Sequence, residues 1–390
     1  MSLIDRLKRM ISCDVAVLYA GKKTTVIGPP RSMANLADLL DLNYSVFRTK
    51  NITFKKNKIF TDVNSSNSVL ITNNKASVHY KVKLSLIMNS FRATLKKINL
   101  LHQFFIFLTL LKFNFLVYFI LLINKNAKII ITQPFVLKFP FLDIGCRLIY
   151  IRRGNVDWGV RQLVNDNFNV KSLFDGSFFT FDNVKLIYLV EIGKLSKKYS
   201  VIPNHFDAED FTQLESKSSG LKMFFVGTWS SRKGAGILIT LSTNIHSFLE
   251  HKIEVFGALG AEPELNTSLI ESSFISYRGV VGQPYKKMRK GDVFISLSLV
   301  EGLQRSLVEA MLSGCIIVAF NRPDSFSVKE CKGVFIVDKF DSMSFEESIK
   351  SIIELPKRER ELLGAECVTF AKNRFDSTSV LNKWKVILDA

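Results

Sequence analysis

The sequence predicts an α/β protein made of two doubly wound lobes. Three observations carry this expectation. A chain of 390 residues exceeds one ordinary core and suggests about two domains of roughly 150–200 residues. Hydrophobic residues make up 47% and charged residues 23%, which is enough apolar surface for packed interiors and excludes a disordered chain. Beyond about residue 200, short apolar runs alternate with helical stretches, the pattern of a parallel sheet covered by helices.

Taken in order, Met1 to Met10 is basic and amphipathic, and the apolar run after it is interrupted by Asp14, which does not fit a secretory signal. Thr24 to Gly28 is predicted as a strand, Pro29-Pro-Arg31 as a turn, and Ser32 to Leu40 as a helix with Ser32 at its N-cap, before a strand around Tyr44 to Phe47. Leu100 to Ile123 is the most apolar segment, and its length alone would permit a span. Lys112 and Asn114 interrupt it, and its polar residues do not share one helical face. A helix packed on a sheet is the preferred reading, with in-plane membrane contact or a span as alternatives. Lys128 to Thr132 reads as a buried strand. Later strands are expected at Met223–Val226, Ile253–Phe256, Ser276–Tyr277, Val293–Leu297, Ile316–Ala319 and Val334–Val337.

Charge divides the chain unevenly. Residues 1–200 hold 30 Lys+Arg against 11 Asp+Glu, a net +19, and residues 201–390 hold 23 against 24, a net −1. The first half contains a single glutamate, Glu191. Such a surface attracts anions, and peripheral contact with an anionic membrane is expected. Nucleic acid is not, because no helix-turn-helix, RNA-binding aromatic signature or finger spacing accompanies the charge. The five cysteines, Cys13, Cys146, Cys315, Cys331 and Cys367, are scattered without a C-x-x-C pair, so neither a disulfide framework nor a zinc site is expected and a cytoplasmic setting is.

Two stretches carry candidate chemistry. Phe225 to Gly234 runs from a strand through a polar turn into a helix, placing Arg232 and Lys233 where free N–H groups and the positive dipole end would also point. An anion site and plain solvated charge are both open there. In Glu301-Gly-Leu-Gln-Arg-Ser-Leu-Val-Glu309, a helix is expected to start at Leu307 and end at Gly314, with Ser306 and Glu309 forming a capping box. Glu301 has no such structural role, because it sits in a loop past a strand, where open α/β sheets bind ligands.

These pieces in order resemble glycosyltransferase family 4, retaining enzymes of the GT-B fold. Val201-Ile-Pro-Asn-His-Phe-Asp207 is similar to the family's I-P-N-G-V-D, Val226 to Gly234 to its V-G-R-L-x-x-x-K-G, Arg278-Gly279 to Asp292 to its x-G-…-D stretch, and Glu301 to Gly314 to its E-G-L-P-R-S-L-L-E-A-M-A-x-G. Phe375 to Trp384 is similar to its closing helix. The likeness is dense over residues 200–390 and thin before.

The resemblance implies two Rossmann-like domains facing a cleft, with residues 1–203 on the acceptor and membrane side. Residues 204–372 would bind a nucleotide-sugar donor, and 373–390 would cross back to the first domain. It implies Glu301 on the donor sugar and Lys233 on the diphosphate as catalytic residues. Arg232, Gly227, Gly302, Leu303, Arg305, Ser306 and Leu307 would line the donor, and Glu309 would hold the ribose. Backbone amides of Arg305–Leu307 would face phosphate. Gly28, Arg31 and Arg153 fall on the acceptor side. Thr228 stands where the family has a phosphate-binding arginine, Gln304 replaces a proline or glycine, and Arg153 a histidine.

No cofactor or metal is expected, since no D-x-D occurs. The acceptor is expected to be a saccharide or a lipid-linked molecule, with the protein on the inner face of the plasma membrane. A GT-B protein that binds nucleotide sugar without turnover, as a partner in a polysaccharide assembly complex, is the alternative; an epimerase or phosphorylase on the same fold is a third.

Overall fold

Parallel strands define two six-stranded sheets, ordered β2-β1-β3-β4-β5-β6 and β12-β11-β10-β7-β8-β9. The computed structural model describes residues 3–18, 29–49, 115–131, 148–152, 178–181, 198–211, 220–299, 301, 303–322 and 328–389. The chain divides into two compact units, and each sheet is described by itself.

The first sheet comprises β1 (Val15–Leu18), β2 (Val46–Thr49), β3 (Lys128–Ile131), β4 (Leu148–Arg152), β5 (Phe178–Phe181) and β6 (Lys198–Val201). β1 pairs in parallel with β2 and β3, and β3 with β4. All of β1 is buried, as are Ile129 and Ile130, the continuous apolar run expected of a strand covered on both faces. The interruption at Asp14 lies just ahead of this strand, and its carboxylate accepts the Ser45 N–H at 3.0 Å. Helix α1 is Leu3–Ile11 and α2 is Pro29–Leu40. Pro29 to Arg31 therefore form the first helical turn instead of a separate turn, and Ser32 is inside the helix. Proline is favoured there because its missing N–H would be unpaired anyway.

Residues 115–123 are helical, with Val117, Ile120 and Leu121 buried and Phe115 and Leu122 exposed. The rest of the apolar segment from Leu100, and the strand expected at Thr24–Gly28, lie outside the described residues. No helix among the described residues is long and apolar enough to cross a membrane.

The second sheet comprises β7 (Met223–Val226), β8 (Ile253–Phe256), β9 (Ile275–Tyr277), β10 (Val293–Ser296), β11 (Ile316–Phe320) and β12 (Val334–Val337). All five neighbouring pairs are parallel. Around it lie α3 (Ala235–Ile245), α4 (Pro263–Glu271), α5 (Arg305–Leu312), α6 (Ser342–Glu354), α7 (Lys357–Phe375) and α8 (Ser377–Leu388). Alternate strand residues feed two cores: Phe225, Val255 and Ile295 on one side join Leu238 and Ile349, while Phe224, Phe256 and Phe294 on the other join Leu307 and Met311.

The order places β7 beside β10, so the chain winds outward to β9 and then returns. That is a topological switch point, and ligands of such sheets bind outside the strand ends there. Just ahead of β10, the buried Asp292 accepts the N–H groups of Lys222 at 3.1 Å and Arg289 at 2.9 Å. Burial pushes its carboxyl up to about 6, against the pull of those two N–H groups and their charges.

Residues of Val201 to Asp207 are tied to the far end of the chain. Phe206 bridges Asp376: its N–H donates to the Phe375 carbonyl at 2.9 Å, and Ser377 N–H donates to the Phe206 carbonyl at 3.1 Å. Asp376 caps α8 by accepting the Thr378 N–H, and Ser377 Oγ donates to Asp207.

Candidate functional site

The switch point gathers two loops, one after β7 and one after β10. Past Val226 the chain runs through Gly227 to Ser230, makes a 3-10 turn over Ser231–Lys233, and enters α3. Gly234 joins turn to helix at φ +81°, and a Cβ there would come within 2.4 Å of the Leu297 carbonyl. Only glycine lets the two loops approach this closely. Trp229, buried, anchors the loop through its indole N–H to the Leu265 carbonyl at 2.8 Å. Leu299 N–H then donates to the Arg232 carbonyl at 2.9 Å, joining the loop after β10 to the loop after β7.

Across that junction Glu301 is paired twice, with Lys233 Nζ and with Arg232 Nη1 at 3.2 Å. Lys233 and Glu301 keep 13% and 14% of side-chain exposure against 56% for Arg232. The lysine pair is therefore the stronger of the two, since an exposed pair contributes only about 0–1 kcal/mol. The lysine stem lies over Gly227, its Cε 3.5 Å from where a Cβ would stand. The two residues expected to carry chemistry thus meet, 68 positions apart in sequence.

Four N–H groups of the turn into α3 are engaged. Those of Lys233 and Ala235 donate to the Ser230 carbonyl, that of Gly234 to the Ser231 carbonyl, and that of Ser231 to the Glu262 carboxylate at 2.8 Å.

The capping box is overturned. α5 begins at Arg305, so Gln304 holds the N-cap and Glu309 lies in the body of the helix. Ser306 has another partner: its Oγ donates to the Val226 carbonyl at 3.1 Å, tying the helix to the end of β7. Glu309 instead pairs with Arg305 at 3.6 Å, and the Arg305 guanidinium lies 4.4 Å from the Phe206 ring centroid. Leu307 N–H donates to the Gln304 carbonyl at 3.2 Å, so that amide of the expected set is engaged. The helix ends as expected at Gly314, whose φ of +86° is the left-handed C-terminal stop.

A buried polar relay lies behind Glu301, and sequence reasoning missed it. Arg322, 1% exposed, donates to Ser296 Oγ at 3.1 Å, to the Ser298 carbonyl at 3.0 Å and to Gln304 Oε1 at 3.3 Å. Ser296 Oγ also donates to Gln304 Oε1, and Gln304 Nε2 donates to Ser306 Oγ at 3.2 Å. Chain segments just past β10 and β11, the start of α5 and the end of β7 are thereby cross-linked around the switch point. The signal that could have found it is Gln304 itself, a polar side chain where an apolar or absent one was expected.

A sequence profile described as Glycosyl transferases group 1 matches residues 220–354. No curated protein matches the sequence. Among solved structures, HepE of Anabaena in complex with UDP is similar at TM-score 0.61 and 13% identity, covering 96% of this chain and 99% of that one. WaaG, a glycosyltransferase involved in lipopolysaccharide biosynthesis, gives 0.56 and 10% with the same coverage. A TarM variant of S. aureus gives 0.52 and 13%, over 68% of this chain. This chain spans 56% of that TarM.

The fold is GT-B. In GT-B terms, the profile match spans β7 through α6 and contains Gly227, Arg232, Lys233, Glu301, Leu303, Arg305, Ser306, Leu307 and Glu309. Gly28, Arg153 and Gly302 lie outside the described residues, and Arg31 lies in α2 of the first GT-B sheet.

Proposed function

We propose that the protein is a retaining glycosyltransferase of the family 4 type. It moves a sugar from a nucleotide-sugar donor to a saccharide or lipid-linked acceptor of a cell-surface polysaccharide or glycolipid. The observation that carries this is the Lys233–Glu301 pair at the second switch point, inside the segment matched by the group 1 profile. A carboxylate is a pure acceptor that suits vicinal sugar hydroxyls. A lysine paired with it is placed to take over a departing diphosphate, whose growing charge needs preorganised cations. Arg232, on the same carboxylate, stands in for the arginine that Thr228 replaces. Glu309, held by Arg305, supplies acceptors for ribose hydroxyls. The family resemblance implies a front-face displacement in which a donor phosphate oxygen takes the acceptor's proton, with Glu301 orienting the sugar instead of attacking it. HepE was solved with UDP and glucose, and a UDP-sugar is the first donor to try.

Membrane contact rests on the +19 charge of the first half and on Ile4, Ile11, Phe115 and Leu122, which are exposed apolar residues of that half. Basic residues near an anionic surface contribute about 1 kcal/mol each, so binding to anionic vesicles should weaken with salt. The deciding experiment incubates the protein with UDP-, GDP- and ADP-sugars and follows slow release of free nucleotide, in parallel with Lys233→Ala. Release that Lys233→Ala abolishes supports transfer. Donor binding without any release, with or without acceptor lipid extract, would leave the non-catalytic partner as the better reading.

A further inference from the structure

Elsewhere in the same unit, a cavity of about 620 Å³ lies between β8 and the segment that follows β9. Lys222, Arg278, Lys286, Lys287 and Arg289 line it, with Glu254 as the sole carboxylate of the lining. Its apolar part is Phe256 and Val281. The second half of the chain has a net charge of −1, yet five cations and one carboxylate meet here. Glu254 reaches Lys222 at 3.7 Å and Arg278 at 3.6 Å, while Lys286 and Lys287 project from a 3-10 turn over Pro284–Lys287 and are exposed. Two walls are fixed to each other, because Asp292 takes the N–H groups of both Lys222 and Arg289. Two of the five cations, those of Lys222 and Arg289, are thus held on one support, the Asp292 carboxylate, against their mutual repulsion. None of the residues of the Lys233–Glu301 site lines this cavity.

We propose that this cavity is a second anion site, one that takes a ligand bearing a diphosphate. The size falls within the range of small-molecule sites, roughly 300–1,000 Å³. An excess of four positive charges exceeds what one phosphomonoester of about −1.5 to −2 would neutralise, so two phosphates match better. Phe256 and Val281 give the remainder of the ligand an apolar contact. The diphosphate can belong to a soluble molecule or to a lipid headgroup, and the proposal does not depend on the transferase reading, because it concerns binding and not turnover.

The test titrates inorganic pyrophosphate calorimetrically into Lys233→Ala, which silences the proposed donor site, and into the same protein carrying Lys286→Gln, Lys287→Gln and Arg289→Gln. Lys233→Ala should bind about one equivalent, and the added substitutions should weaken it at least 10-fold with the melting temperature unchanged. Glu254→Gln on the Lys233→Ala background should tighten binding several-fold, since it removes the carboxylate that competes for Lys222 and Arg278. Failure of Lys233→Ala to bind, equal binding by the multiple variant, or unchanged or weaker binding by Glu254→Gln would each overturn the proposal. A parallel arm with phosphatidylcholine vesicles, plain or doped with a long-chain alkyl diphosphate, separates the sources. Phosphatidylglycerol vesicles of equal charge serve as the control, because the basic first half is itself expected to bind anionic surfaces. Binding to doped vesicles that exceeds both this control and pyrophosphate, and that the Lys286, Lys287 and Arg289 substitutions weaken, assigns a lipid ligand, and binding that does not exceed them a soluble one.

Discussion

The first sheet turns back on itself between β1 and β3, the second between β7 and β10. Both are doubly wound, so topology alone provides each with a crevice at its strand ends. At the first, the residues past β1 and β3 lie outside the described ones, and the strands themselves contribute core: Val15 to Leu18, Ile129 and Ile130 are buried. At the second, Glu301 pairs with Lys233 and Arg232 past the strand ends, and Arg322, Gln304, Ser296 and Ser306 form a relay among the same chain segments. Charge divides in the opposite sense, with the excess of +19 in the first half. A crevice is thus set by strand order, while its chemistry is set by a few polar residues that tie neighbouring strand ends together. The proposed function would put donor chemistry in the second unit and acceptor or membrane contact in the first.

The largest expected effect comes from Lys233→Ala, which should lower kcat by about 10²–10³-fold, or roughly 3–4 kcal/mol by analogy with a lost oxyanion donor. If Arg232→Ala does this and Lys233→Ala does not, the pairing at Glu301 has been assigned to the wrong cation.

Next is a stability effect confined to the second unit. Asp292 titrates near 6 when folded, above the ordinary 3.8, so the native state holds its proton more tightly than the unfolded chain. Its contribution is full below pH 3.8 and lost as pH rises through 6. Relative to Asp292→Asn, wild type should lose about 2–3 kcal/mol between pH 4 and pH 7, measured by chemical denaturation at each pH. A pH-independent difference would remove Asp292 from this role.

Glu309→Gln comes third. With the capping box gone, its carboxylate has no helix-start role to preserve. Loss of charge-assisted bonds should cost roughly 1.5–3 kcal/mol, raising the donor KM about 10- to 100-fold at nearly constant melting temperature. Ser306→Ala follows, since it removes one relay bond to β7; about 1 kcal/mol of stability is expected, read as a lower melting temperature with donor KM changed less than by Glu309→Gln. Smallest on the donor side are Arg31→Ala and Arg153→Ala, which should leave donor KM within about 3-fold while weakening acceptor use. Equal donor defects from these and from Glu309→Gln would break the division between the two regions.

Much of the second sheet could be read from the chain because its strands are apolar runs bounded by polar turns. β7, β8 and β12 fall on their expected residues, and β10 and β11 end within one residue of theirs. The meeting of Lys233 with Glu301 was legible only through the family resemblance, since no periodicity connects them. Other features were hidden by long-range contacts. Ser306 looks like a cap in isolation, but the Val226 carbonyl, 80 residues away, offers its hydroxyl a buried partner. The cysteines look scattered, yet Cys331 and Cys367 lie 3.7 Å apart, sulfur to sulfur. β1 was missed because Asp14 suggested an interruption where the carboxylate in fact precedes the strand and accepts the Ser45 N–H. Pro29 misled in the same way, signalling a turn when it occupies the first turn of α2.

The bridge between Phe206 and Asp376 has a genetic consequence. Every strand of the second sheet and all of α3 to α7 lie between those two residues, so this block enters and leaves at a single paired point, with Ser377 and Asp207 fastening the seam. Recombination that exchanged the block would have one backbone seam to match instead of two separate ones. A donor-side module could therefore be traded between proteins with little disturbance to the chain on either flank. Engineered chimeras joined at 206 and 376 are the natural place to look for that exchange, and junctions moved a few residues inside the seam should fold less well than junctions placed on it.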